Sequence, residues 1–198
     1  MKEIDVICVN KSERGFTLLE ATVAVFIIGI IMAFSTPRII SAMRDYRVSM
    51  ATRRVADLIQ RAKTQAVSEN RTVTLRVDTA SNRVGIVFRD TSNTEVRTDY
   101  IPLPQGVTFS LPSGTVPPPM TGAPVARSVS FPLKSGSSTV YEQDFNSRGF
   151  PSVTAGTINA IYVGSNNLTY RVLTLNSVGG TRTWLWRNSA WVTTSAAN

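Results

Sequence analysis

The stretch KSERGFTLLEATVAVFIIGIIMAFSTP, Lys11 to Pro37, decides how the chain is read. From Phe16 to Thr36 it holds 21 residues, and Glu20 is the only charged one. At about 1.5 Å per residue such a run makes a helix of roughly 31 Å, one hydrocarbon thickness. A carboxylate near mid-bilayer costs about 2.5–3.5 kcal/mol on insertion scales, so Glu20 asks for a partner. The run is preceded by fifteen residues with three bases (Lys2, Lys11, Arg14) and three acids (Glu3, Asp5, Glu13). That order is the reverse of a secretory signal, where the apolar stretch comes before the cleavage point. Cleavage between Gly15 and Phe16 would keep the apolar run in the mature chain. It would also create an α-amino cation four residues from Glu20, and a buried carboxylate is tolerated when paired. The pair can form within one chain or between neighbours. Between neighbours, it makes Glu20 an assembly device.

Composition narrows the functions. The chain has 198 residues and a formal net charge of +8. Seventeen of its 21 basic residues are arginine, whose planar fork suits phosphate and carboxylate. There is no histidine, which removes the usual general base, the Ser-His-Asp and Cys-His arrangements and the commonest metal ligand. Cys8 is the only cysteine, so no intrachain disulfide forms. The residues before it, MKEIDVI, lack the apolar region of a lipoprotein signal. No G-x-S-x-G elbow, zinc-ligand cluster or phosphate loop occurs, so an envelope-tethered enzyme is the weakest reading and no cofactor or metal is expected.

RGFTLLE, Arg14 to Glu20, followed by that apolar run, resembles the type III signal of type IV pilins and type II secretion pseudopilins. The resemblance implies a leader, residues 1–15, removed after Gly15 by a membrane-embedded prepilin peptidase that also N-methylates Phe16. It implies that Glu20 is the assembly residue. Pro37 stands where many pilins carry a helix-kinking proline, and it lacks the amide that a straight helix needs. Residues 16–36 are then the transmembrane helix in the inner membrane, with the head in the periplasm. Flanking charge runs against that orientation. Arg38, Arg44, Arg47, Arg53 and Arg54 follow the span, against Lys2, Lys11 and Arg14 before it.

Beyond Pro37 the pattern stays helical. Ile39, Ile40, Met43, Met50, Val55, Leu58, Ile59, Ala62 and Ala66 recur mostly at three- and four-residue steps, with arginines between them. This predicts an amphipathic continuation over residues 37–70. From residue 71 to 198 short alternating runs separated by turn clusters predict a mostly antiparallel β head, and the fold class is α+β, pilin-like. The expected strands are TVTLRVD, RVGIVFR, EVRTDYIPL, GVTFSL, RSVSFPL, STVYEQDF, TINAIYVG, LTYRVLTL and TRTWLWRN. The first two read as a hairpin with one buried face. Residues 112–124, with three consecutive prolines, read as a loop. Trp184 and Trp186 fall on one strand face and read as core cover, ahead of a binding platform.

The head resembles the H-type minor pseudopilin and FimT group. The residues that carry this are RTVTLRVD directly after the helix, DFNSRGFPS (Asp144 to Ser152), and the closing YRVLTLNSVGGTRTW. The implied function is a structural subunit at or near the tip of a type II secretion pseudopilus or related pilus. Its partners are other pilin-like subunits, the prepilin peptidase, the inner-membrane assembly platform and the lipid bilayer. The alternative is a DNA-capturing minor pilin. From Met120 onward six bases face two acids, which favours it. DNA-uptake relatives carry Gly-Arg-x-Arg in the last turn, however, and here Gly180 is followed by Thr181, Arg182, Thr183 and Trp184. Arg182 and Arg187 are the residues that would touch phosphate.

Overall fold

The computed structural model describes residues 17–90, 92–112, 127–152, 159–165, 169–187 and 189–194. Its first element is α1, Leu18–Ser68, a helix of 51 residues. The chain divides into two compact units, one reaching Ser41 and one beginning at Ala42. In the first, α1 is apolar and unburied. It is long and apolar enough to cross a membrane. Pro37 lies inside α1 and withholds the amide that would bond the Ala33 carbonyl.

The second unit holds the rest of α1 and two four-stranded antiparallel sheets. The strands are β1 (Val73–Asp78), β2 (Arg83–Arg89), β3 (Glu95–Pro102), β4 (Val140–Phe145), β5 (Asn159–Ser165), β6 (Thr169–Leu175), β7 (Thr181–Arg187) and β8 (Ala190–Thr193). The first sheet has the order β3-β2-β1-β4 and the second β5-β6-β7-β8. Their inner faces close on one stripe of α1: Val48, Ala51, Val55, Leu58, Ile59, Ala62 and Ala66. Leu75, Val77, Phe145, Ile161, Val163 and Leu173 fill the space against it. Burying the large apolar side chains of this core supplies about 1.5–3 kcal/mol each. The predicted helical stripe is right from Val55 onward but wrong before it. Ile39, Ile40 and Met43 are exposed, and the buried stripe begins at Val48.

β1 corrects the expectation of a single buried face, because all six of its residues are buried. Val73, Leu75 and Val77 face the core. Thr74, Arg76 and Asp78 face outward and are covered by long neighbours that satisfy them. Arg76 donates from both terminal nitrogens to the two oxygens of Glu95, each at 2.6 Å, and from Nε to Glu142 at 2.7 Å. Gly85 lies opposite Arg76 in β2. A Cβ there would sit 2.5 Å from the Asp99 carbonyl oxygen, so only glycine lets β3 close against β2 at that point.

The same ion pairs give the head a pH dependence. Bonding to Arg76 holds the Glu95 carboxyl down, from its ordinary 4.5 to about 2. A depressed carboxyl stabilises the fold above its unfolded value, and that contribution disappears as pH falls through the folded value. Head stability should therefore fall between pH 4.5 and 2. The Glu95→Gln variant should lose less over that window. Acid titration of tryptophan fluorescence measures it, and equal acid profiles for parent and variant would refute it.

Two expected strands are not strands. GVTFSL meets β5 at an isolated Thr108–Gly164 bridge and at the Gly106 carbonyl, which accepts from the Ser165 hydroxyl at 2.8 Å. RSVSFPL makes one bridge from Val129 to Ile161 and one from Leu133 to Tyr141. Pro132 has no amide to donate, and the segment passes from the second sheet to the first instead of lying along either. β8 was not among the expected strands, the last of which, TRTWLWRN, ends at Asn188. Residues 113–124 of the expected loop lie outside the described residues. The outer face of the second sheet carries a smaller apolar cluster of Ala160, Tyr162, Tyr170, Val172 and Trp191. Trp184 and Trp186 pack on it half-buried, as cover. The Trp186 and Trp191 rings lie 4.9 Å apart.

Candidate assembly site

Gly15 and Phe16, the expected cleavage pair, lie outside the described residues. The described chain begins at Thr17, which caps α1. Its Oγ1 accepts from the Glu20 amide at 3.2 Å. This is the backbone half of a capping box, Thr-x-x-Glu, with Glu20 in the first helical turn. A carboxylate there also faces the positive end of the helix dipole. The Glu20 residue is exposed, within a face of exposed Leu18, Leu19 and Val23. Glu20 therefore carries a local role that the sequence reading missed, although the Thr17-to-Glu20 spacing was there to find it. Its carboxylate remains available to a second group.

At the other end of α1 the helix is pinned by two turns. The Lys63 ammonium donates to the Gly179 carbonyl at 2.7 Å. Gly149 and Gly179 adopt φ of 77°, the left-handed region that favours glycine. That φ holds the β6–β7 turn to glycine at Gly179, where a Cβ would also lie 3.0 Å from the Gly149 carbonyl oxygen. Val67, Lys63, Arg148 and Gly149 line an open groove there. Phe150 and Val178, beside these two turns, are exposed. The DFNSRGFPS and NSVGG stretches thus meet at one place on the helix.

Arg182 and Arg187 are not brought together. Both are exposed on β7, but five residues apart and therefore on opposite faces of the sheet, roughly 17 Å along the strand. Arg182 shares its face with Trp184 and Trp186. A phosphate contact joining the two is excluded by that parity.

Comparison with known proteins gives two family matches. The prokaryotic N-terminal methylation motif matches residues 10–36. The type II transport protein GspH family matches residues 51–179, more than half of the chain. No curated protein matches. A solved structure, that of the minor pseudopilin EpsH from the type 2 secretion system of Vibrio cholerae, is similar at 12% identity and a TM-score of 0.43. The match covers 71% of this chain and 98% of that one. With a methylation motif leading into α1 and the family match running from the middle of α1 through β6, the chain belongs to the type II transport protein GspH family.

Proposed function

We propose that this chain is a minor pseudopilin of a type II secretion system, acting as a structural subunit near the tip of the pseudopilus. The observation that carries the reading is the continuity of the two matched regions. The methylation motif leads into α1, and α1 runs directly into a GspH-family head. The leader, residues 1–15, is removed after Gly15, and the new Phe16 amine is methylated. Residues 16–36 hold the subunit in the inner membrane until assembly, with the head in the periplasm. Residues 37–70 continue the helix under the head of residues 71–198, with Pro37 as its point of flexure. The partners are other pilin-like subunits, the prepilin peptidase and the assembly platform. The work is mechanical and needs no catalytic group.

Processing is the direct test. Intact-mass and N-terminal peptide analysis of membrane-extracted chain should find Phe16 first, carrying one methyl group. Gly15→Leu should accumulate the uncut form, because a peptidase must come close to the backbone at that residue. A chain that still begins at Met1 in cells with the peptidase would sink the proposal.

A further inference from the structure

α1 carries a column of arginines on one flank. Arg47, Arg54 and Arg61 are spaced by seven residues, so they recur every two turns, about 10.5 Å apart. All three residues are exposed. None makes an ion pair or side-chain hydrogen bond among the described residues, whereas Arg71, Arg76, Arg83, Arg89 and Arg97 in the head all pair with carboxylates. Three unpaired guanidinium groups in register on one rigid element make a surface that is repelled by like charge and fits a matching row of carboxylates. Asp57 stands on the same flank, one turn from Arg54 and from Arg61, and leaves that flank net positive.

We propose that Arg47, Arg54 and Arg61 form a docking ladder for a different, acidic subunit that presents carboxylates along a helix at the same spacing. This rests on the pseudopilin reading and names the neighbour's chemistry. A second copy of the chain does not fit. Its net charge is +8, and all but one of the carboxylates of its second unit are committed within its own fold. Glu69 pairs with Arg71, Asp78 with Arg83, and Asp99 with Arg97. Glu95 and Glu142 pair with Arg76. Asp45 accepts from Thr169, Asp144 from Thr74, and Asp90 from the amides of Ser92 and Thr94. In the second unit only Asp57 is left, and it belongs to the ladder flank. Contact through this face therefore selects a partner unlike itself, which places the chain where the composition of the filament changes.

The experiment uses the full chain in non-ionic detergent at low salt. Four probes are offered: a helical peptide with Glu at every seventh position, the same composition with its glutamates spread around the helix, a 20-base-pair DNA duplex, and vesicles containing phosphatidylserine. The in-register peptide should bind at least about fivefold tighter than the scrambled one. The triple variant Arg47→Gln, Arg54→Gln, Arg61→Gln should remove that preference. The control triple Arg148→Gln, Arg182→Gln, Arg187→Gln should keep it. Equal binding of both peptides overturns the ladder, as does duplex or vesicle binding that is tighter and lost in the same triple variant. In cells the ladder triple should enter filaments about tenfold less than the parent, with cleavage unchanged. Parental entry of this triple, alongside failure of Glu20→Val, would overturn the ladder and leave the pseudopilin reading standing. Absence of the parent itself from filaments would overturn the pseudopilin reading.

Discussion

Glu20→Val is expected to insert into the membrane at least as well as the parent and to be cleaved normally, yet to enter filaments about a hundredfold less. Removing the carboxylate removes about 2.5–3.5 kcal/mol of insertion cost, so targeting does not suffer. On the proposed reading, in an assembly of packed apolar helices the same change would leave the methylated Phe16 amine of a neighbour without its counter-charge. Breaking one partner of a buried pair costs about 3–5 kcal/mol, which is the hundredfold or more expected in assembly. The capping geometry supplies a control. Thr17 accepts from the Glu20 amide, so Thr17→Ala weakens the helix start by about 1 kcal/mol and leaves the carboxylate in place. If Glu20 acted only through the helix start, both variants would lose assembly alike. The measurement is the ratio of filament-bound to membrane-bound chain, with N-terminal mass as the processing check. Filament entry of Glu20→Val at the parental ratio would end the charge-pairing account.

Arg76→Ala should destabilise the head by about 3 kcal/mol. The guanidinium is 5% exposed and holds Glu95 and Glu142, which are 35% and 19% exposed. Taking it away leaves two carboxylates at close range on a face where nothing else neutralises them fully. Lys134 reaches Glu95 at 3.6 Å and Arg89 reaches Glu142 at 3.9 Å, so the loss falls at the low end of the range for buried pairs. Replacing the whole group, Arg76→Met with Glu95→Gln and Glu142→Leu, should recover most of it, since no charge is then stranded. The readout is denaturant unfolding of the full chain in detergent, followed by tryptophan fluorescence. Trp184, Trp186 and Trp191 are the three tryptophans of the chain, and all lie in the second sheet. A lower midpoint seen from there after a change in the first sheet means that both sheets unfold as one body through the shared α1 core. An unchanged midpoint would mean that the two sheets are independent or that the ion pairs contribute nothing.

The long N-terminal helix was legible in the residues. An unbroken apolar run after Arg14-Gly15, with one carboxylate in its first turns, reads as a helix, and α1 is that helix from Leu18. The amphipathic continuation, the end of α1 near Ser68 and seven of the eight strands also follow from local patterns, because helical periodicity, alternation and turn residues act over a few neighbours. Trp184 and Trp186 on one face, as cover, follow from the same alternation. What required the tertiary structure are the features that depend on distant partners. The buried stripe of α1 starts at Val48 and not at Ile39, because burial is decided by where the sheets reach. GVTFSL and RSVSFPL have strand composition, but each finds only single bridges beside β4 and β5. β1 reads as half-buried, yet Arg76 is enclosed by carboxylates 19 and 66 residues away in sequence. Arg182 and Arg187 read as neighbours in one basic strand, and the pleat sends them to opposite faces. The spacing of Arg47, Arg54 and Arg61 is written in the sequence. That they stay unpaired, while the acids are taken up elsewhere in the fold, is decided only by tertiary contacts, because a charge's partner is set by distance in space.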